Sequence, residues 1–472
     1  MLFSSTTFLY LFLPAVIFFY FVVFRKSRML QNVFLLLASL FFYAWGEPKF
    51  VLVMMLSIVV NWFFGIMIKR KRDDRKISRL IIGLDAVFNL GLLFVFKYLS
   101  FSVGIIDNVF GADLPIPEIA LPIGISFFTF QAMSYVIDVY RQKGEVQSNI
   151  LYVGLYISFF PQLIAGPIVR YSTIADEIKN RKETLDDFFN GFARFVIGLS
   201  KKVLLANSFA ILADRVFDTI KSGDSISVMF GWLGALAYTL QIFFDFSGYS
   251  DMAIGMGRMF GFHFLENFDY PYMSSSITEF WRRWHMSLGT WFRDYLYFPL
   301  GGSRCSKARN IFNLFVVWSL TGLWHGANFT FLVWGLMYFV LLVVEKSTGL
   351  VKKSGRAINV FKRLYTLLFV ILGWVIFRAE SIGDAFVYLQ HMFGLAGNSF
   401  CDGMFTGWFR QNMILLAVGI VLSTPLFRHL SEKTKNSVAV AYLKAGALAM
   451  LFVLCAASLV SNSYNPFIYF NF

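Results

Sequence analysis

Two histidines stand in strongly apolar surroundings. His325 lies in Gly322-Leu323-Trp324-His325-Gly326-Ala327-Asn328, and His285 follows Phe280-Trp281-Arg282-Arg283-Trp284. An imidazole titrates near neutral pH, so it can take a proton from a hydroxyl as that hydroxyl attacks an activated acyl group. His325 falls within 309–345, a stretch of 37 residues. As one helix it would be about 55 Å long, too long for a single crossing. Basic residues flank both ends (Arg304, Lys307 and Arg309; Lys346 onward), so the chain must enter and return, with the break at 322–328. That sets His325 near the apex of a re-entrant hairpin, with Asn328 beside it. An ionisable group at membrane depth marks a pathway or reaction site, or is a neutral imidazole hydrogen-bonding two helices; both readings stand here.

His285 sits in an amphipathic segment with Trp281, Arg282, Arg283 and, further on, Arg293. The segment reads as a helix at the cytoplasmic interface. Its guanidinium groups either meet lipid phosphates or hold an anionic donor, since Arg pairs bidentately with phosphate. A third group is Gln241, Asp245 and Asp251. Gln241 and Asp245 are four residues apart and share a helical face. The two carboxylates orient a histidine, bind a cation, or satisfy exposed backbone where a helix breaks. No His-plus-carboxylate spacing resembles a metal site. Cys305, Cys401 and Cys455 lie far apart without a CxxC, so neither a disulfide framework nor a structural zinc site is expected.

The elements that hold these groups must be membrane helices. Of 472 residues, 57% are hydrophobic and only 15% charged, against about a quarter charged in soluble domains; mean hydropathy is +0.63. This excludes a disordered chain, a coiled coil and an ordinary soluble enzyme. The net charge of +14 sits in short loops between apolar runs, which speaks for membrane orientation and against nucleic acid. Of the runs at 2–24, 29–45 and 50–68, the second ends at Glu47-Pro48-Lys49, and the first and third end at strongly basic loops, around 25–28 and 69–76, each after an odd number of crossings. These loops are therefore cytoplasmic and the N-terminus is outside. The run 77–106 leads to an acidic outer loop. Residues 346–363 return to the cytoplasm, 380–410 face out, and the last run, 438–460, leaves a tail, 461–472, on the outer side. Between 121 and 300 the apolar runs are broken by Pro and Gly, which points to short or re-entrant helices enclosed by protein. The fold class is an all-α polytopic membrane protein of about ten to twelve transmembrane or re-entrant helices, ordinary spans ringing a central group of short ones.

Taken together, the strings FWRRWHMSLGTWFRDYLYFPLGG, GLWHGANFTFLVWG, QLIAGPIVRY, FFDFSGYSDMAIG and ENFDYPY resemble the membrane-bound O-acyltransferase family. They are most similar to its bacterial branch of alginate O-acetyltransferase-like proteins, which also includes the D-alanyl transfer protein of teichoic acids. The resemblance runs along the whole chain and is densest over 120–340. It implies one integral membrane domain, 1–472, with N-terminal spans (1–110), a central catalytic region (120–345), C-terminal spans (360–460) and the tail. It implies transfer of an acetyl group from a cytoplasmic thioester, acetyl-CoA, across a bacterial inner membrane to an extracytoplasmic polysaccharide, through a separate esterase-like partner and with no bound cofactor. His325 matches the family's catalytic histidine and His285 its second, less strictly kept position. Phe467, Tyr469 and Phe472 resemble a C-terminal motif of the acetyltransferases, and Tyr469 is expected to relay the acyl group; read bare, the same residues are an interfacial aromatic anchor. D-alanyl transfer from a carrier protein and a secondary transporter or exporter are the competing functions.

Overall fold

A computed structural model describes residues 1–111, 113–353, 355–434, 437–461 and 464–468. Among them the secondary structure is helical, and nine helices are long and apolar enough to cross a membrane. The chain is a multi-pass membrane protein. Helix boundaries follow local chemistry. The Ser27 hydroxyl accepts from the Leu30 N–H to open Arg28–Gly46. One Asp74 carboxylate oxygen accepts from Lys76 and Ile77 to open Arg75–Leu93, so the basic loop at 69–76 also carries the cap of the next span.

Two compact units divide the chain. The first takes in residues 1–197 and 249–265. It holds the early spans and the helix Ile125–Tyr140, buried over nearly its whole length. An apolar helix hydrophobic all round belongs inside a bundle rather than against lipid. Within it, Glu183 accepts hydrogen bonds from Tyr20 and Arg28.

The second unit takes in residues 198–248 and 266–472. It contains the hairpin Lys307–His325 and Phe329–Thr348, then Arg356–Arg378, Ile382–Met392, Gly403–Leu422 and Val438–Ser461. Only 11% and 6% of the apolar windows of the last two spans are buried, so their side chains are left for lipid. Two long helices, Leu185–Lys221 and Val228–Met259, run through the division. The second corrects one expectation: Asp245 and Asp251 do not mark a helix break, because Val228–Met259 passes unbroken through both. Their carboxylates are instead met by cationic side chains, Lys202 for Asp245 and Arg194 for Asp251, and a satisfied polar residue leaves the helical backbone intact.

Candidate functional site

The hairpin carries His325 at the last turn of its first arm. Ser306 opens that arm by accepting from the Arg309 N–H. Gly326, with φ −175°, ends it, and Asn328 starts the return by accepting from the Thr330 N–H at 3.0 Å. The arms touch through glycine: a Cβ on Gly322 would lie 2.4 Å from the Phe331 carbonyl oxygen, and one on Gly335 2.4 Å from that of Trp318. Arms of 19 and 20 residues are each about 28–30 Å long. Each is thus as long as a hydrocarbon core is thick, so the chain does enter and return as a hairpin, with arms of full crossing length.

The His325 side chain is enclosed. Its residue is 5% exposed, and the rings of Trp324, Trp334 and Phe377 stand 5.0, 5.1 and 5.2 Å away, each nearly perpendicular to the imidazole. This edge-to-face arrangement is favoured by aromatic quadrupoles and fixes the ring plane. His325 lines a cavity of about 10 Å³ with Ile242, Phe246, Trp284, Trp334, Trp374, Phe377 and Ile468.

His285 is not at an interface. It is 2% exposed, and its backbone is left-handed at φ +45°, between the short helices Ile277–Arg283 and Met286–Phe292. The reason lies eighteen residues upstream. The buried Asn267 Oδ1 accepts from the Ser287 N–H at 3.1 Å and the Ser287 hydroxyl at 2.9 Å, and contacts His285 Nδ1 at 3.2 Å. That oxygen is an acceptor, so Nδ1 carries the proton and Nε2 is the basic nitrogen. The imidazole stands edge-on to Phe246 at 4.6 Å and faces Trp324 at 6.0 Å. The two histidines are thus neighbours of one indole.

The helix before His285 is pinned at its start. Ser276 accepts from the Glu279 N–H, and Glu279 reaches back to Ser275, as in a capping box. The buried Glu345 carboxylate takes the Ile277 and Thr278 N–H groups at 2.6 and 2.9 Å and the Thr278 hydroxyl at 2.7 Å. The segment expected to be a surface helix therefore has two characters. Arg282 and Arg293 are exposed. Arg283 pairs with Glu279 at 2.9 Å and Asp269 at 3.6 Å, and Arg293 with Asp294 at 3.0 Å. Trp281, by contrast, packs among Trp318, Trp334 and Tyr338, and behaves as a wall of the aromatic cluster.

The polar residues singled out in the sequence separate. Asp251 pairs with Arg194 within the first unit, at 2.8 Å. The others are in the second. Gln241 accepts from Arg378 at 3.3 Å, Asn328 donates to the Glu380 carbonyl at 2.7 Å, and Asp245 forms a buried ion pair with Lys202 at 2.7 Å. The tail returns to this region: Phe467 and Ile468 are buried, and Ile468 lines the His325 cavity. Tyr469, and with it Phe472, lies outside the described residues. Sequence reading missed Lys202, Asn267 and Glu345. For Lys202 the available signal was a lysine inside an apolar run; for Asn267 it was its place in ENFDYPY. Among the described residues no group of three or more His, Cys, Asp or Glu is arranged to hold a metal ion.

A buried imidazole at the end of a hairpin with arms of full crossing length, and a second one across a shared indole, make a site suited to proton transfer inside a polytopic helical protein. Residues 125–382 match the model of the membrane-bound O-acyltransferase family. A probable alginate O-acetylase of Pseudomonas aeruginosa is 38% identical, with the alignment spanning all of both chains. A peptidoglycan O-acetyltransferase of Helicobacter pylori is 33% identical over all of this chain and 98% of its own. A teichoic acid D-alanyltransferase of Bacillus subtilis is 30% identical over 55% of this chain and 69% of its own. The chain belongs to the membrane-bound O-acyltransferase family, in its alginate O-acetylase-like branch, and is an acyltransferase.

Proposed function

We propose that the protein moves an acetyl group from a cytoplasmic thioester, acetyl-CoA, to hydroxyl groups of a polysaccharide outside a bacterial inner membrane. The observation that carries this reading is the cavity of His325, which is lined on one side by Ile468 of the C-terminal tail; Tyr469 is the next residue. The full-length likeness to O-acetylases, against a partial one to a D-alanyltransferase, supports acetyl as the group moved. In the proposed orientation the N-terminus is outside, the exposed Arg282 and Arg293 are cytoplasmic and bind the donor's phosphates with Arg283, and the tail approaches from outside.

In this mechanism His325 is the general base. It takes the proton of the Tyr469 hydroxyl as that oxygen attacks the thioester carbonyl, and returns it to the departing thiolate. An acetyl-tyrosine ester and a free thiol result. A hydroxyl of the acceptor, or of a separate esterase-like transferase, then attacks the ester and restores the tyrosine. General-base assistance of this kind is worth about 10²–10⁴ in rate. His285, held by Asn267 one indole away, orients or supports that centre, and Trp281 keeps its aromatic wall.

The test is acetyl transfer from radiolabelled acetyl-CoA by the purified protein in liposomes. His325→Ala should abolish transfer while the protein remains folded, and Tyr469→Phe should lose transfer to acceptor while retaining donor binding. Undiminished transfer by His325→Ala removes the base from the mechanism; undiminished transfer by Tyr469→Phe removes the relay and leaves the tail as an anchor.

A further inference from the structure

Lys202 and Asp245 form an ion pair with almost no exposure, their side chains 1% and 2% accessible. They meet because Leu185–Lys221 and Val228–Met259 approach very closely there: a Cβ on Gly248 would lie 2.7 Å from the Gly198 carbonyl oxygen and 3.1 Å from the Lys202 backbone nitrogen. Around Lys202 the first helix widens into a π turn, Lys201–Ala206, a distortion common at functional positions. An ion pair kept only for stability has no need of a third party, and an apolar pair of the same volume often serves as well. This pair has one. The Lys202 ammonium donates to the Pro466 carbonyl. Asp245 gives one carboxylate oxygen to Lys202 and the other to the Ile468 N–H at 3.1 Å. The two charges therefore grip the tail by main-chain groups on either side of Phe467. The Phe467 ring is buried beside them, 5.8 Å from the Lys202 ammonium. Two flanking contacts extend the grip: Asn207 donates to Asn465 at 3.3 Å, and the Tyr464 hydroxyl donates to Asp214, which also pairs with Arg378.

We infer that Lys202 and Asp245 are positioning residues, a clasp that sets the register of the C-terminal tail against the His325 cavity. For its purpose in transfer this rests on the function proposed above; as a statement about where the tail is held it does not. A peptide gripped by one carbonyl and the N–H two residues on is fixed along its own axis. A slip of one residue would turn the carbonyl and N–H on this edge away from the two charges, draw the Phe467 ring out of its buried place, and move the tail's next side chains off the cavity. The clasp holds the chain along its axis through main-chain atoms, and the buried Phe467 ring between the two bonds makes that register the one that fits.

The experiment reads tail seating directly. Ile468→Cys keeps the main-chain bond to Asp245 and places a thiol in the cavity wall. It is made in a chain with Cys305→Ser and Cys401→Ser, leaving the buried Cys455. A small charged methanethiosulfonate should react slowly with it. In Lys202→Met/Asp245→Leu both charges are gone together, so no unpaired charge is buried and folding is preserved; melting temperature and monodispersity check this. Labelling should then be at least tenfold faster, and acetyl transfer at least tenfold slower. Joining Asn207→Cys to Asn465→Cys with a short bifunctional thiol reagent, in the Lys202→Met/Asp245→Leu chain without the probe cysteine, should recover transfer. A purely structural role for the pair predicts no such recovery. Labelling at the parent's rate in the folded double variant overturns the clasp, as does transfer that stays lost once the tail is tied down. Labelling uses no acyl donor. A protein that labels as expected but transfers no acetyl group counts against the proposed function alone.

Discussion

Gly326→Ala tests the His325 enclosure through a single methyl group. The backbone at Gly326 is extended, a conformation alanine adopts freely, so the substitution carries no backbone strain and its effect is steric. The new Cβ would lie 2.2 Å from Phe331 Cε2 and 2.4 Å from Cδ2, where ordinary contacts are 3.4–4 Å. The Phe331 ring must therefore move by about 1 Å or more, an overpacking cost of about 1–3 kcal/mol. It has little room to do so. Phe331 meets Phe377 edge-to-face at 5.0 Å, and Phe377 meets the His325 imidazole edge-to-face at 5.2 Å, so the push is passed to the histidine ring. A misplacement of about 1 Å at a reacting group costs on the order of 10²-fold in rate. The assay is acyl transfer by purified protein, with melting temperature in parallel. Gly326→Ala should lower transfer by about 10²-fold with a modest loss of stability, and Phe331→Leu, which removes the ring atoms in the way, should restore most of it in the double variant. Unchanged transfer in Gly326→Ala, or a double variant no better than the single one, refutes the chain of contacts.

Two further outcomes follow from charged groups. Glu345→Gln replaces a buried acceptor of three hydrogen bonds with an amide that must point a donor at one of the N–H groups. Charge-assisted bonds are worth about 1.5–3 kcal/mol each, so a loss of about 2–3 kcal/mol is expected, read as a lower melting temperature together with weaker transfer. Glu183 lies between membrane segments. Its burial opposes ionisation, but hydrogen bonds from Arg28 and Tyr20 outweigh it and hold the carboxyl below its ordinary range. The folded value is the lower one, so the stabilisation is present above the unfolded pKa of about 4.3 and is lost as pH falls through the folded value. The melting-temperature gap between the parent and Glu183→Gln should be constant at neutral pH and close only below about pH 4; a gap that closes between pH 6 and 7 would contradict this.

The spans were legible wherever length and charge alone define them. The runs 29–45, 50–68 and 438–460 became Arg28–Gly46, Val51–Arg70 and Val438–Ser461, because a stretch of about 20 apolar residues between polar loops has few alternatives. The hairpin break was legible for the same reason: Gly326 and Asn328 do occupy it, while Gly322 lies in the last turn of the first arm. The centre was harder. Asp245 and Asp251 suggested a broken helix because their partners, Lys202 and Arg194, are 43 and 57 residues away, and no local pattern announces such pairings. The burial of His285 depends on a left-handed residue and on Asn267 eighteen positions earlier. Sequence periodicity reports which side chains are apolar; it does not report a turn that folds a polar one inward.

The smallness of the His325 cavity has a kinetic corollary. About 10 Å³ holds roughly one water molecule, and even an acetyl group is larger. On the proposed function, the conformer with these walls is a resting state, and the acyl group enters a different, wider one. If that wider conformer has population f, the apparent dissociation constant of the donor is the intrinsic one divided by f. A population of about 1% would weaken apparent binding about 100-fold. Trimming an aliphatic wall, such as Ile242→Ala, raises f. It should tighten donor binding and keep the aromatic rings that hold the imidazole plane, whereas trimming Phe377 would widen the cavity and loosen the His325 ring at once. Tight affinity measured on a wall variant would then describe how often the door stands open, and say little about how well the room fits its guest.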